Sequence, residues 1–464
     1  MRIQLRPLIF LYVALIVLLL TAVNLVWYKG FSWHDNQRLV QLLILTFASA
    51  ALLFIRPIKL PTTALTVLLT IFALGFFSSL LAKYPLWAFK EWAKYVAFFL
   101  LALFIVQTAQ HSPYRISLLL TLALVAFVNA YQFLVYYAMA FITSIYLFDA
   151  DVLFNGFSNP RFLNQFQILF MPILAYLALR HWKAAHRYSK LLASTLFTTL
   201  LVQWCIAFSL GGRGLWLGLA ISHAALIIFF PRFWRLLAVQ AAAGLLGFIL
   251  FYLMFTVIPE WLGQTSLVRD SMRFGLSKRE VIWQLAWDMF IANPWLGVGP
   301  MHFSAEVNSV AAHPHQVVLQ WLAEWGIFAT LAAIFIAVWG MLHGLRFVRS
   351  EKGQPLDAAL WMSILGALVL AQVDGVFVMP YTETWLAILI GLAMARWSKP
   401  STAESRWQTY SLRILAIPVI LILGNVLINE VPTLAQDSEA HMEKHGTGYT
   451  PRFWMQGWIP MDGK

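Results

Sequence analysis

The stretch HPHQVVLQWLAEWGIFATLAAIFIAVWG, residues 313–340, decides the class of this protein. Between Val317 and Gly340 a single side chain, Glu324, is ionisable. An apolar run of that length, rising 1.5 Å per residue, is long enough to cross the roughly 30 Å hydrocarbon core of a bilayer. At its start stand two imidazoles, His313 and His315, around Pro314, a residue suited to the first turn of a helix.

The rest of the chain carries the same signal. Of its 464 residues 61% are hydrophobic and only 11% charged, and the mean hydropathy is +0.74. A soluble domain cannot hide that much apolar surface, so the composition requires an integral membrane protein. The 21 tryptophans suit interfacial belts. The one cysteine, Cys205, lies inside an apolar run, which excludes a disulfide framework and a thiolate metal site. Apolar runs fall near 8–28, 39–55, 62–82, 94–109, 116–140, 163–180, 191–209, 214–230, 236–258, 317–340, 357–378, 384–396 and 411–429. The twelfth is short as written and is expected to begin nearer Tyr381.

The expected fold is an all-α polytopic membrane protein of about 12–13 transmembrane helices with a large, partly helical periplasmic loop. It divides into a bundle of about nine spans (1–258), the loop (259–316), C-terminal spans (317–429) and a short outer tail (430–464). Lysine and arginine set the expected orientation. With Arg2 and Arg6 inside, alternation collects the basic clusters of 56–59, 180–190, 232–235, 346–352 and 396–413 on the cytoplasmic side. Only Glu351, Asp357 and Glu404 oppose them there. The formal charge of +12 is therefore topological, and no nucleic-acid partner is needed. No cleavage site follows the first span, which reads as an anchor.

The long loop has internal order. Ser277-Lys-Arg-Glu280 reads as a capping box opening an amphipathic helix to about Ile291, lying along the outer interface with Trp283 and Trp287 one turn apart. Asn293-Pro294 ends it, and Gly297 and Gly299 mark a tight bend. The tail stretch TGYTPRFWMQGWIP receives no assignment.

Three inward-running spans open with polar groups: NPRFLNQFQ (159–167), SLGGRGLWLG (209–218) and HPHQ (313–316). Helix N-termini attract anions, and Arg161 and Arg213 add guanidinium forks that match phosphate oxygens. If these ends converge, the outer face holds a phosphate or diphosphate pocket. Arg213 lies between glycines, which would let a ligand approach the backbone; a snorkelling arginine is the ordinary alternative. Arg279, in the first turn of the loop helix, is a second candidate, and Arg269 and Arg273 are weaker ones. His315 can accept a proton near neutral pH, with His313 as N-cap or positioning residue. Glu324 lies nine residues further on, too far for direct contact with His315, but able to pair with an arginine. Asp374 is expensive near a span end unless paired, and can orient a histidine or arginine. His-Pro-His lacks a third ligand at useful spacing, so no metal site is expected, and no cofactor. Without a nucleotide-binding loop, any donor should be lipid-borne.

Three stretches in order, FSLGGRGLWLGLA (208–220), REVIWQLAWDMFIANPWLGVGPMHF (279–303) and HPHQVVLQWLAEWGIFATL (313–331), resemble the superfamily of O-antigen ligases, O-antigen polymerases and protein O-oligosaccharyltransferases. The resemblance covers about a quarter of the chain, with FSNPRFLNQFQ similar to a further family stretch. It implies a bacterial inner-membrane glycosyltransferase, active at the periplasmic face. Its donor would be an undecaprenyl-diphosphate-linked glycan, and its acceptor lipid A-core or a protein Ser/Thr such as that of a pilin. It further implies a metal-independent, inverting reaction in which Arg213 and Arg279 contact the diphosphate and His315 activates the acceptor hydroxyl. Gln316 stands where asparagine is commonest, and Ala329 where many ligases have a second glycine. A repeat-unit polymerase is the alternative within the family. From another class the rival is a transporter or flippase, which would place ionisable groups at mid-membrane. The span interiors read here as nearly charge-free.

Overall fold

The computed structural model describes residues 5–55, 60–145, 148–266, 268, 278–398, 406–446, 452–455 and 457–459. Each expected span falls on a helix: α1 (Leu5–Thr21), α2 (Trp33–Phe54), α3 (Thr62–Leu81), α4 (Pro85–Ala109), α5 (Ser112–Ile142), α6 (Pro160–Trp182), α7 (Arg187–Leu210), α8 (Arg213–Phe229) and α9 (Trp234–Tyr252). A π-turn continues α9 into α10 (Ile258–Trp261), and α11 (Arg279–Ala292) is the loop helix. Then come α12 (Val317–Arg349), α13 (Pro355–Leu370), α14 (Pro380–Trp397), α15 (Arg406–Asn425) and a tail helix, α16 (Leu434–His445). Nine of the described helices are long and apolar enough to cross a membrane. The chain is a multi-pass membrane protein of all-helical architecture. Helices α4, α6, α13 and α14 are largely buried at the centre. Peripheral α9, α12 and α15 turn outward side chains such as Phe248, Phe335 and Leu421, an apolar surface fit for lipid.

Helix ends depart from the apolar runs in ways that matter for the site. Helix α2 begins at Trp33, before the run at 39, because Ser32 and Asp35 form a capping box. Helix α4 begins at Pro85, before 94. Helix α13 stops at Leu370, short of 378, leaving Asp374 in a turn beyond it. The loop helix starts with Lys278 as N-cap, in a left-handed conformation without a side-chain cap bond. The expected cap, Ser277, lies outside the described residues, as do Arg269 and Arg273.

The expectation of nearly charge-free span interiors does not hold. Six buried charges alternate along a chain that joins α2, α4, α14, α12 and the tail. Arg38 Nη1 lies 3.1 Å from Glu383 Oε2, and Lys94 Nζ bridges Glu383 (2.9 Å) and Glu91 (3.0 Å). Arg452 then faces Glu91 at 3.7 Å and Glu324 at 2.6 Å. Isolated, any of these would be prohibitive in a membrane interior; alternating and hydrogen-bonded, they neutralise one another. Hydropathy left Arg38, Glu91 and Arg452 outside the expected spans because it scores each residue without its partner.

The bend at residues 294–299 and the glycine of α12 turn out to be one structure. Gly326 sits at φ +75°, ψ 178°, interrupting α12. The freed groups bond to the bend: Ile327 N donates to Pro294 O (2.9 Å), while Val298 N and Gly299 N donate to Ala323 O (2.9 Å) and Glu324 O (3.1 Å). A Cβ on Gly326 would lie 2.2 Å from Trp295 O, and one on Gly297 2.4 Å from Glu324 C. Two backbones therefore cross where no side chain fits. Gly326→Ala is expected to cost about 1–3 kcal/mol in backbone strain alone, with the overlap added. Thermal unfolding of the purified variant in detergent checks this; an unchanged midpoint would contradict the crossing.

Candidate active site

The segment before α12 is stitched to the turn after α13 by three hydrogen bonds. Val317 N donates to Ala371 O (3.0 Å), Gln316 Nε2 to Gln372 Oε1 (3.1 Å), and His315 Nδ1 meets Asp374 Oδ1 at 3.2 Å. His315 itself has φ +53°, a left-handed conformation uncommon outside glycine, asparagine and aspartate. That turn breaks the chain before the helix and directs the imidazole to the carboxylate. The N-cap of α12 is Gln316, whose side chain accepts from Leu319 N. His313 is therefore not the cap, and Pro314 precedes the helix. Instead His313 Nδ1 accepts the His315 backbone N–H at 3.3 Å, with the two rings 4.0 Å apart.

Electrostatics separate the two histidines' surroundings. His313 is buried, and that burial first, then its cationic neighbours, hold it well below the ordinary imidazole range, so it stays neutral. Burial alone would raise the Asp374 carboxyl. The His315 hydrogen bond and charge, the Gly375 amide at 2.8 Å and the Arg279 charge outweigh it and hold Asp374 below the usual carboxylate range.

Arg161, Arg213 and Arg279 all occupy the first turn of a helix, α6, α8 and α11 respectively. Arg161 and Arg213 are both within electrostatic reach of Arg279. Arg279 is pulled below its usual range by burial first, with Arg161 and Arg213 adding to the effect and Asp374 opposing it. It stays charged nonetheless. A cavity of about 290 Å³ opens here, lined by His315, Asp374, His313 and Arg161, by Asn159 and Phe162 of α6, by Val310–Ala312, and by Met379, Met455 and Trp458. Arg213 and Arg279 are not among the residues that line it. Arg161, a supporting candidate in the sequence, is the arginine at the wall.

One expectation changes and one holds. The glycines beside Arg213 do not open the backbone to a ligand. A Cβ on Gly212 would lie 2.1 Å from Asn164 Oδ1, and one on Gly214 2.4 Å from Leu370 Cδ1, so both are there for helix packing. Glu324 has no contact with His315 and pairs with Arg452 through both carboxylate oxygens, at 2.6 and 3.0 Å, also accepting from Phe303 N. Loop helix α11 packs on the start of α12 through Ile282, Ala286 and Ala323. Trp283 Nε1 donates to Pro314 O at 3.0 Å, so this helix braces the histidine segment.

Sequence reasoning missed Arg452, Met455 and Trp458. The available signal was an arginine set among aromatics in a polar tail, a sign of burial that hydropathy discards.

Residues 198–334 match a family model described as O-Antigen ligase, supporting the O-antigen ligase superfamily. That interval carries Arg213, Arg279, His313, His315 and Glu324, while Arg161 and Asp374 lie outside it. No curated protein matches the chain. The family match suggests a glycosyl-transfer function.

Proposed function

Starting from that O-antigen ligase match, we propose that this chain transfers glycan from an undecaprenyl-diphosphate-linked donor to an acceptor hydroxyl, with His315 as general base. The observation that carries the reading is the His315–Asp374 pair, opening on a cavity walled by Arg161, with Arg279 within electrostatic reach of Asp374, Arg161 and Arg213. With Nδ1 committed to Asp374, Nε2 is the nitrogen left to take the acceptor's proton. The acceptor oxygen bonds to the anomeric carbon as the carbon–oxygen bond to the diphosphate breaks, and the bonding pair leaves with the diphosphate. The arginines and the helix N-termini offset the charge that develops there, and Asp374 steadies the imidazolium. Direct displacement of this kind inverts the anomeric centre and uses no metal.

The site would face the periplasm of a bacterial inner membrane, with the N-terminus cytoplasmic. The balanced, fully paired charge chain favours this reading over a transporter, whose ionisable groups must change partners during its cycle.

Asp374→Asn keeps the shape but not the charge or the imposed tautomer. Transfer by the purified variant is expected to fall about 10²–10⁴-fold, the range of general-base contributions, with unchanged thermal stability. Undiminished transfer would remove the pair from the mechanism. Deleting the protein names the acceptor. A lost lipopolysaccharide ladder assigns lipid A-core, and a lighter pilin with an intact ladder assigns a protein. If neither changes and no free donor glycan accumulates, the transferase reading fails.

A further inference from the structure

The tail does more than end the chain. Arg452 is buried and held by Glu324 and Glu91. Phe453 O accepts from Arg38 Nε at 2.6 Å, with the Arg38 guanidinium 5.2 Å from the Phe453 ring centre. Trp454 and Ile459 are buried, and Ile459 N donates to Ser304 O at 2.8 Å. Anchored on both sides, the intervening residues place Met455 and Trp458 on the wall of the cavity that His315 and Asp374 line.

Trp458 is half-buried on that wall. Its indole is a flat apolar surface. A pyranose ring suits such a wall: its axial C–H face packs on an aromatic plane, and its hydroxyls reach out to polar groups at the edge. Asn159 and Arg161 add polar groups on the same wall. The cavity lies at the small end of the roughly 300–1,000 Å³ typical of ligand pockets, room for a terminal ring rather than a long glycan.

We propose that Trp458 and Met455, carried on the tail and anchored through Arg452, form a stacking subsite for one sugar ring beside His315, and that the tail thereby selects the glycan. This rests on the transferase reading above. The ring comes either from the lipid-linked donor or from a core-oligosaccharide acceptor.

Two probes separate these sources: the oligosaccharide released by mild acid from lipid-linked glycan, and core oligosaccharide released from lipopolysaccharide. Each is titrated calorimetrically into the full-length protein in detergent. The wild type should bind one of them. Trp458→Ala should weaken that binding about tenfold, the 1.4 kcal/mol expected of an aromatic contact. Trp458→Phe, which keeps the ring, should lose less, and Trp407→Ala, on an exposed face of α15, nothing. In steady-state transfer Trp458→Ala should raise KM for the same substrate while leaving kcat nearly unchanged. Binding of neither probe by the wild type, equal binding by Trp458→Ala, or a loss confined to kcat would each overturn the subsite. Failure of the transferase reading shows elsewhere, as an unchanged ladder and pilin without accumulated donor glycan in the deletion strain, and leaves the binding result standing.

Discussion

His315→Ala is expected to lower glycan transfer about 10²–10⁴-fold, the contribution of a positioned general base, with the protein still folded. The side chain is partly exposed, and among the described residues its side-chain hydrogen bond is to Asp374. Its removal therefore leaves no large void. Asp374 keeps the Gly375 amide and the Arg279 charge, so its carboxylate is not stranded. The segment itself stays anchored through Val317 N–Ala371 O, the Gln316–Gln372 bond and Trp283 Nε1–Pro314 O. The measurement is transfer of lipid-linked glycan by purified protein, beside its thermal unfolding curve. A variant that transfers normally would strip His315 of its assigned part. One that unfolds early would show instead that the left-handed turn at His315 serves the fold.

Glu324→Gln should have the largest effect on stability. Among the described residues it leaves buried Arg452 only Glu91, at 3.7 Å, for a counter-charge. Removing one member of a buried ion pair typically costs about 3–5 kcal/mol, because the survivor's desolvation is no longer offset. The loss should also release the tail, seen as faster proteolysis near the C-terminus. Transfer should fall with it, because Met455 and Trp458 leave the cavity wall. Pairing the change with Arg452→Gln should recover part of the stability, since it removes the stranded charge, though it also takes a partner from Glu91. Should Glu324→Gln unfold at the wild-type temperature with an equally resistant tail, the ion pair holds nothing in place.

These two residues also show where reading the chain succeeds and where it stops. Glu324 was legible as an arginine partner out of reach of His315, since a helix rise of 1.5 Å per residue separates them by about two and a half turns. Its partner was not, because Arg452 lies 128 positions away in a stretch without a hydropathy signal. The arginines of α6, α8 and α11 announced themselves by their place in the first helical turn. That Arg161 would reach the cavity wall, and Arg213 and Arg279 not line it, depended on how those helices cross.

Composition and run length by themselves determined a polytopic helical membrane protein, the position of each apolar helix and the order of its motifs. The reason is that transfer from water to hydrocarbon is nearly additive over neighbouring residues, so a window along the chain captures it. The tertiary structure alone decided that six charges could be buried, that Gly297 and Gly326 meet where two backbones cross, and that the tail completes the cavity. Each of these is a pairwise matter between distant positions. A charge or an unpaired carbonyl is tolerable only once its counterpart arrives, and nothing local to either residue records that arrival.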